Sequence, residues 1–134
     1  MTGDFSSFAR FSISVKSSSE RFFRISFACT GLFFKMRIEP KIINEIINHC
    51  RSDPTKESCG LIFGNNIINS ILKGKNISPN PVIEYLIDPE TTLNVFNNDF
   101  QGIYHSHVHI AAIPSNIDIR TAVYPGKYYL IYSV

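Results

Sequence analysis

Three of the chain's four histidines fall in one stretch, "GIYHSHVHIAAIPSNID", Gly102 to Asp118. His105 and His107 stand two residues apart. On an extended strand, residues i and i+2 project from the same face. Both imidazoles therefore point the same way, with Ser106 opposite. Two imidazoles on one face can share a zinc ion, at Zn–N distances of about 2.0–2.1 Å. A catalytic zinc usually takes three protein ligands and leaves the fourth position to water. Asp118 can supply the third ligand from the first turn of a following helix, if the intervening loop folds back.

Each part also has a plainer reading. Ser115 and Asp118 form an S-x-x-D pattern, in which the serine caps a helix and the acid sits at its third position. Such a capping box needs no metal, and histidine pairs at i, i+2 occur in strands without catalytic purpose. The joint spacing, H-S-H-x7-S-x2-D, favours chemistry, together with an upstream acid, Glu57, at the mouth of the apolar run "SCGLIFG". His109 reads as an exposed loop residue rather than a group supporting the site. His49 closes a helix, where a cation suits the macrodipole. Cys59 reads as core.

The elements that must position these groups follow from pattern. "EPKIINEIINHC" places Ile42, Ile43, Ile46 and Ile47 on a helical stripe, with Pro40 in the first turn. "SDPTKE" is a turn and "SCGLIFG" a buried strand. "NNIINSILKGK" continues as a second strand after a tight turn at Gly64–Asn66. "NISPNP" is loop, and "VIEYLID" alternates like a third strand. Asp88–Pro89 opens a short helix to about Asn97. "QGIYHSHV" is strand, "SNIDIRTAVY" helix, and "KYYLIYSV" a final strand. The order implies an α/β or α+β domain, a mixed β-sheet flanked by helices.

Composition sets the bounds. The chain has 134 residues, 44% of them hydrophobic and 18% charged, enough for one domain with a core. Three cysteines without a CxxC pair argue against a disulfide framework and for a reducing, cytoplasmic setting. No apolar run reaches the roughly 18–20 residues of a membrane span.

Residues 1–35 hold eight of the eleven phenylalanines and no asparagine, whereas the remainder holds eleven asparagines. A transit-like targeting segment, a secretory signal and a start set upstream of a true Met36 compete to explain this break, and the third is favoured. The domain is accordingly expected at 36–134, with 1–35 an extension of doubtful order. Residues 36–134 carry eight basic and nine acidic side chains, so they present no basic footprint for nucleic acid.

Glu57, His105, Ser106, His107, Ser115 and Asp118 together resemble the signature of the JAMM metallopeptidases, or MPN+ domains. The segments "ESCGLIFG", "NISPNP", "YLIDPE" and "YYLIYSV" are similar to those of small prokaryotic members. At the position after His-Ser-His, where proline is common in the family, this chain has Val108. The resemblance implies a cytidine-deaminase-like layout of sheet and helices, and an end short of the family's further strand or two. It implies that His105, His107 and Asp118 hold a zinc ion. Glu57 would take a proton from the attacking water and pass it to the leaving amine. Ser115 would donate a hydrogen bond to the oxyanion or to the bound water. The implied substrate is the C-terminal tail of a ubiquitin-like or sulfur-carrier protein. The rivals on the same fold are a non-catalytic interaction module and an inactive truncated fragment.

Overall fold

A computed structural model describes residues 37–134 and, as backbone strands only, residues 10–14 and 23–27. The expectations about a targeting segment and a start at Met36 otherwise fall outside the described residues. The strands are β1 (Arg10–Ser14), β2 (Phe23–Phe27), β3 (Cys59–Gly64), β4 (Ile68–Gly74), β5 (Phe100–His107) and β6 (Tyr128–Ser133). The helices are α1 (Pro40–Ser52), α2 (Pro89–Thr92) and α3 (Asn116–Thr121). A 3₁₀ turn, Leu93–Phe96, continues from α2.

The sheet runs β2-β1-β6-β5-β3-β4. β3 pairs antiparallel with both β4 and β5, and β5 pairs parallel with β6. β1 lies parallel to β6 and antiparallel to β2. The sheet is mixed and flanked by helices, as the element order implies. β3 and β5 sit inside it, which is why they read as nearly continuous apolar or buried runs. Gly102 permits the close pairing of β5 with β6, because a Cβ there would run into the Tyr128 backbone.

Each face of the sheet has its own core. On one face α1 lays Ile42, Ile46 and Cys50 against Ile62, Tyr104, Leu130 and Tyr132. Burying each of the two isoleucines is worth about 1.5–3 kcal/mol. On the other face Leu61, Phe63, Phe100, Ile103, Tyr129 and Ile131 pack together, with Tyr85, Ile87 and Val95 against them. Alternation along β5 puts His105 and His107 on this second face, at the C-terminal end of the strand, beyond Ile103.

Three local expectations need correction. "VIEYLID" forms no strand: only an isolated bridge joins Ile87 to Asn76. Side-chain hydrogen bonds of Asn76 take the place of a ladder. Its Nδ2 donates to the carbonyls of Glu57 at 2.9 Å and Glu84 at 3.0 Å. Its Oδ1 accepts from the N–H groups of Ser78 and Leu86, each at 3.0 Å. The segment is therefore held as a loop, and Val82, Ile83 and Leu86 are exposed.

Helix α3 stops at Thr121 rather than running to Tyr124. The Tyr124 N–H is taken instead by the Tyr129 hydroxyl, at 3.0 Å. His49 does end α1, but not as a free cation. Its Nδ1 shares a hydrogen bond with the Tyr104 hydroxyl at 2.6 Å. Burial, helped by Lys73, lowers its pKa.

Candidate metal centre

The site forms where β5 ends and α3 begins. β5 delivers His105 and His107, whose ring centroids lie 5.1 Å apart. Val108 is buried, and the chain turns through His109, an exposed residue at φ 60°. Ser115 then caps α3. The Asp118 N–H donates to Ser115 Oγ at 3.1 Å, and the Ser115 N–H donates to Asp118 Oδ2 at 2.8 Å. The capping box read from the sequence is thus formed. The same box turns the Asp118 carboxylate back toward β5.

Asp118 Oδ1 lies 3.1 Å from His105 Nε2, and Oδ2 lies 3.0 Å from His107 Nε2. The two Nε2 atoms are 3.3 Å apart. All three side chains are buried. Their candidate ligand atoms lie within 4.8 Å of one another.

The donor set fits a cation. His107 Nδ1 is 2.8 Å from the Ala111 carbonyl, which can only accept, so Nδ1 carries a proton. In the neutral ring, Nε2 then offers a lone pair toward a carboxylate oxygen and toward a second imidazole. Acceptors facing acceptors in a buried site call for positive charge among them. Two imidazoles and one carboxylate, with Nδ1 of one ring anchored by the backbone, match the ligand chemistry of a catalytic transition-metal site.

Without a metal, a proton on the imidazoles can supply that positive charge, and the pKa directions follow from it. Burial opposes the charge on Asp118, yet His105 and His107, which donate to its oxygens when protonated there, outweigh burial and hold the carboxyl far below its usual range. Burial lowers His105. On His107 burial also works downward, but the Asp118 and Ala111 hydrogen bonds win and raise it.

Glu57 sits just before β3, 1% exposed. Its backbone is held at both ends: its N–H donates to the Pro81 carbonyl at 2.7 Å, and its carbonyl accepts from Asn76. In its side chain, Oε2 is buried with no hydrogen-bond partner among the described residues. Burial pushes the carboxyl up to about 8; His107 opposes the rise, and Asp118 and Glu84 add to it. The antiparallel pairing of Cys59 with His105 and the two Ser58–Ser106 hydrogen bonds set Glu57 at the His107 end of β5.

Ser106 points to the opposite face, as alternation requires. Its Oγ accepts from the Ser58 N–H at 2.8 Å, and its N–H donates to the Ser58 carbonyl at 2.9 Å. These bonds pin the start of β3, and with it Glu57, to the histidine strand. Two residues at the site carried no signal in the sequence. Asn76 was hidden in a loop, and Tyr85, whose ring centroid is 4.5 Å from that of His105, lay in the misread strand.

Comparison with known proteins gives the chain's family. The chain is 31% identical over 103 residues to a desampylase from Haloferax volcanii, covering 67% of this chain and 74% of that protein. It is 30% identical over 87 residues to a probable TtuB-protein conjugate cleaving protease from Thermus thermophilus, covering 60% of this chain and 59% of that protein. It is 26% identical over 112 residues to a CysO-cysteine peptidase from Mycobacterium tuberculosis, covering 77% and 76%. A protein from Desulfitobacterium hafniense, solved in solution, superposes with a TM-score of 0.62 at 26% identity, over 72% of this chain and 73% of that one. Residues 39–134 match the family of prokaryotic homologs of the JAB domain, and the chain belongs to that family.

Proposed function

We propose that the chain is a zinc-dependent peptidase of the JAMM type. It hydrolyses a peptide or isopeptide bond at the C-terminal tail of a ubiquitin-like or sulfur-carrier protein. The observation that carries this reading is the convergence of buried His105, His107 and Asp118 beside a buried carboxyl, Glu57, with an unpartnered oxygen. A non-catalytic module has no use for that unpartnered acid, whose burial is costly. The relatives' names, a desampylase, a conjugate cleaving protease and a CysO-cysteine peptidase, support the kind of substrate.

In this reading His105, His107 and Asp118 hold the metal. Zinc, when bound, would supply a Lewis acid that polarises the scissile carbonyl. Glu57 takes the proton of the attacking water on its free Oε2 and returns it to the leaving amine. Its buried setting limits loss of that proton to solvent. Ser115 Oγ already accepts from Asp118 N–H, which leaves its hydroxyl hydrogen for the developing oxyanion. Residues 36–134 make up the peptidase domain. Two free, buried cysteines, Cys50 and Cys59, suit a reducing cytoplasm.

The segment Asp88–Gln101 contacts the substrate tail. A Gly-Gly end is preferred, because bulky side chains beside the metal would meet the loop carrying His109.

The test is metal analysis of the purified protein, with cleavage of a ubiquitin-like protein extended past its Gly-Gly. About one zinc per chain, with cleavage that chelation abolishes, is expected. A protein that takes up no zinc overturns the reading.

A further inference from the structure

The two histidines of the trio are held in different ways. His107 is anchored through Nδ1 to the Ala111 carbonyl. His105 has no such anchor among the described residues: its Nδ1 is buried and finds no hydrogen-bond partner there. Metal-ligating histidines are ordinarily oriented by donating the second ring N–H to an acceptor. At His105 that acceptor is missing, and an aromatic face lies against the ring instead. The Tyr85 ring centroid is 4.5 Å from that of His105, with the two planes inclined by 31°. Tyr85 is itself packed against the core that includes Leu61, Phe63, Ile103, Tyr129 and Ile131.

We propose that Tyr85 is a positioning residue for His105, its ring face standing in for the missing hydrogen bond. The stack fixes the plane of the imidazole, so that Nε2 faces Asp118 Oδ1 at 3.1 Å. The backbone clamps around Asn76 fix the loop that leads into Tyr85. An aromatic face carries negative potential, so the contact strengthens when His105 gains positive character on binding a cation. The ring makes this contact, and the hydroxyl is not required for it. The inference rests on the metal-site reading above.

The test compares zinc affinity, by chelator competition, for the parent, Tyr85→Phe and Tyr85→Leu. Tyr85→Phe keeps the ring and retains the parent's affinity. Tyr85→Leu keeps apolar bulk but not the ring, and weakens zinc binding about 10–100-fold, the scale of losing a group that orients a ligand. A merely structural role would lower the unfolding midpoint of the chelated protein and leave the affinity of the folded protein unchanged.

A second readout is NMR of the His105 ring in the chelated parent. One narrow set of signals, shifted upfield by the Tyr85 ring current, is expected. This shift persists in Tyr85→Phe and disappears in Tyr85→Leu. Should Tyr85→Leu fail to fold, unshifted or exchange-broadened His105 signals in the parent overturn the proposal. Tight zinc binding by both parent and folded Tyr85→Leu overturns it while leaving the metal site standing. No zinc binding by the parent overturns both.

Discussion

Ser115 and Asp118 hold each other through a reciprocal pair of hydrogen bonds, at 3.1 and 2.8 Å, and the shared Asp118 Oδ2 also lies 3.0 Å from His107 Nε2. The start of α3 and the candidate metal centre are therefore one piece of structure. A helix of six residues depends heavily on its cap. That cap here also sets where the Asp118 carboxylate points.

Ser115→Ala separates cap from chemistry. Losing the side-chain acceptor costs about 1 kcal/mol of stability, the usual scale of an N-cap. If Ser115 also donates to the oxyanion, kcat falls by about 10²–10³-fold, far more than that stability loss accounts for. Ser115→Thr keeps the hydroxyl and should restore much of both. A lowered midpoint with unchanged kcat in Ser115→Ala would leave Ser115 a cap only.

The ligand set predicts what each truncation does to metal content. His105→Ala, His107→Ala and Asp118→Ala each leave two ligands and should strip most of the zinc. Asp118→Ala should also destabilise the metal-free protein, because it removes the partner of both imidazoles and one half of the capping box. Metal analysis and denaturant unfolding read the two effects separately. Full occupancy in all three variants rejects the assignment.

Glu57 gives a pH dependence whose sign is fixed. In the metal-free protein burial raises its pKa from 4.5 to about 8. Between those values the unfolded chain has released its proton and the folded chain has kept it. This contribution to stability is fully present below about pH 4.5 and is lost as pH rises to about 8. Glu57→Gln cannot ionise. The stability of the parent relative to this variant, measured with chelator present, should therefore decline across that window. The variant should keep its zinc and lose activity by about 10²–10⁴-fold. Loss of zinc in Glu57→Gln would mean that the residue had been assigned the wrong role.

The strands at the N-terminal side lead to a further expectation. β1 covers the edge of β6, yet no residue of the metal trio lies on β1 or β2. Deleting residues 1–35 should leave zinc affinity unchanged, since β5 still holds β6 from the other side. The deletion bares a row of unpaired backbone groups on β6, so self-association should increase. Zinc titration and sedimentation of Met36–Val134 check both parts. Loss of zinc binding on deletion would make the N-terminal strands part of the domain proper.

Local patterns carried His105, His107, Ser115 and Asp118, the family resemblance singled out the distant Glu57, and the partners Asn76 and Tyr85 were missed. Strand alternation brought His105 and His107 to one face, and a helix-start pattern put Asp118 beside Ser115; both are short-range rules. The alternation in "VIEYLID" was equally regular, but Asn76 supplies hydrogen bonds that a neighbouring strand would otherwise provide. Periodicity cannot register a side chain acting as a strand. His49 was read from its helix position alone, whereas the fold brings the Tyr104 hydroxyl, 55 residues away, to 2.6 Å from its Nδ1. Tyr85 against His105 is likewise a contact made only by the fold, between segments with no shared pattern.

The last prediction concerns the proposed docking of substrate by Asp88–Gln101. Asp88 caps α2 by accepting from the Thr91 N–H at 3.1 Å, and the chain runs on as the 3₁₀ turn Leu93–Phe96. Val95 packs inward against the core that also holds Tyr85. Leu93 and Phe96 face outward, 68% and 81% exposed. A turn fixed from within that shows two large apolar side chains to solvent is suited to gripping an extended tail. Replacing an exposed apolar side chain by serine costs the folded protein little, so Leu93→Ser and Phe96→Ser should leave the unfolding midpoint and zinc content near those of the parent. Both should raise KM for a ubiquitin-like protein extended past its Gly-Gly, with kcat much less affected, because they remove binding made equally in ground and transition states. The same changes should matter less for a free peptide too short to reach the turn. If KM for the protein substrate does not move in either variant while Glu57→Gln abolishes turnover, the tail docks elsewhere and the catalytic reading stands without this surface.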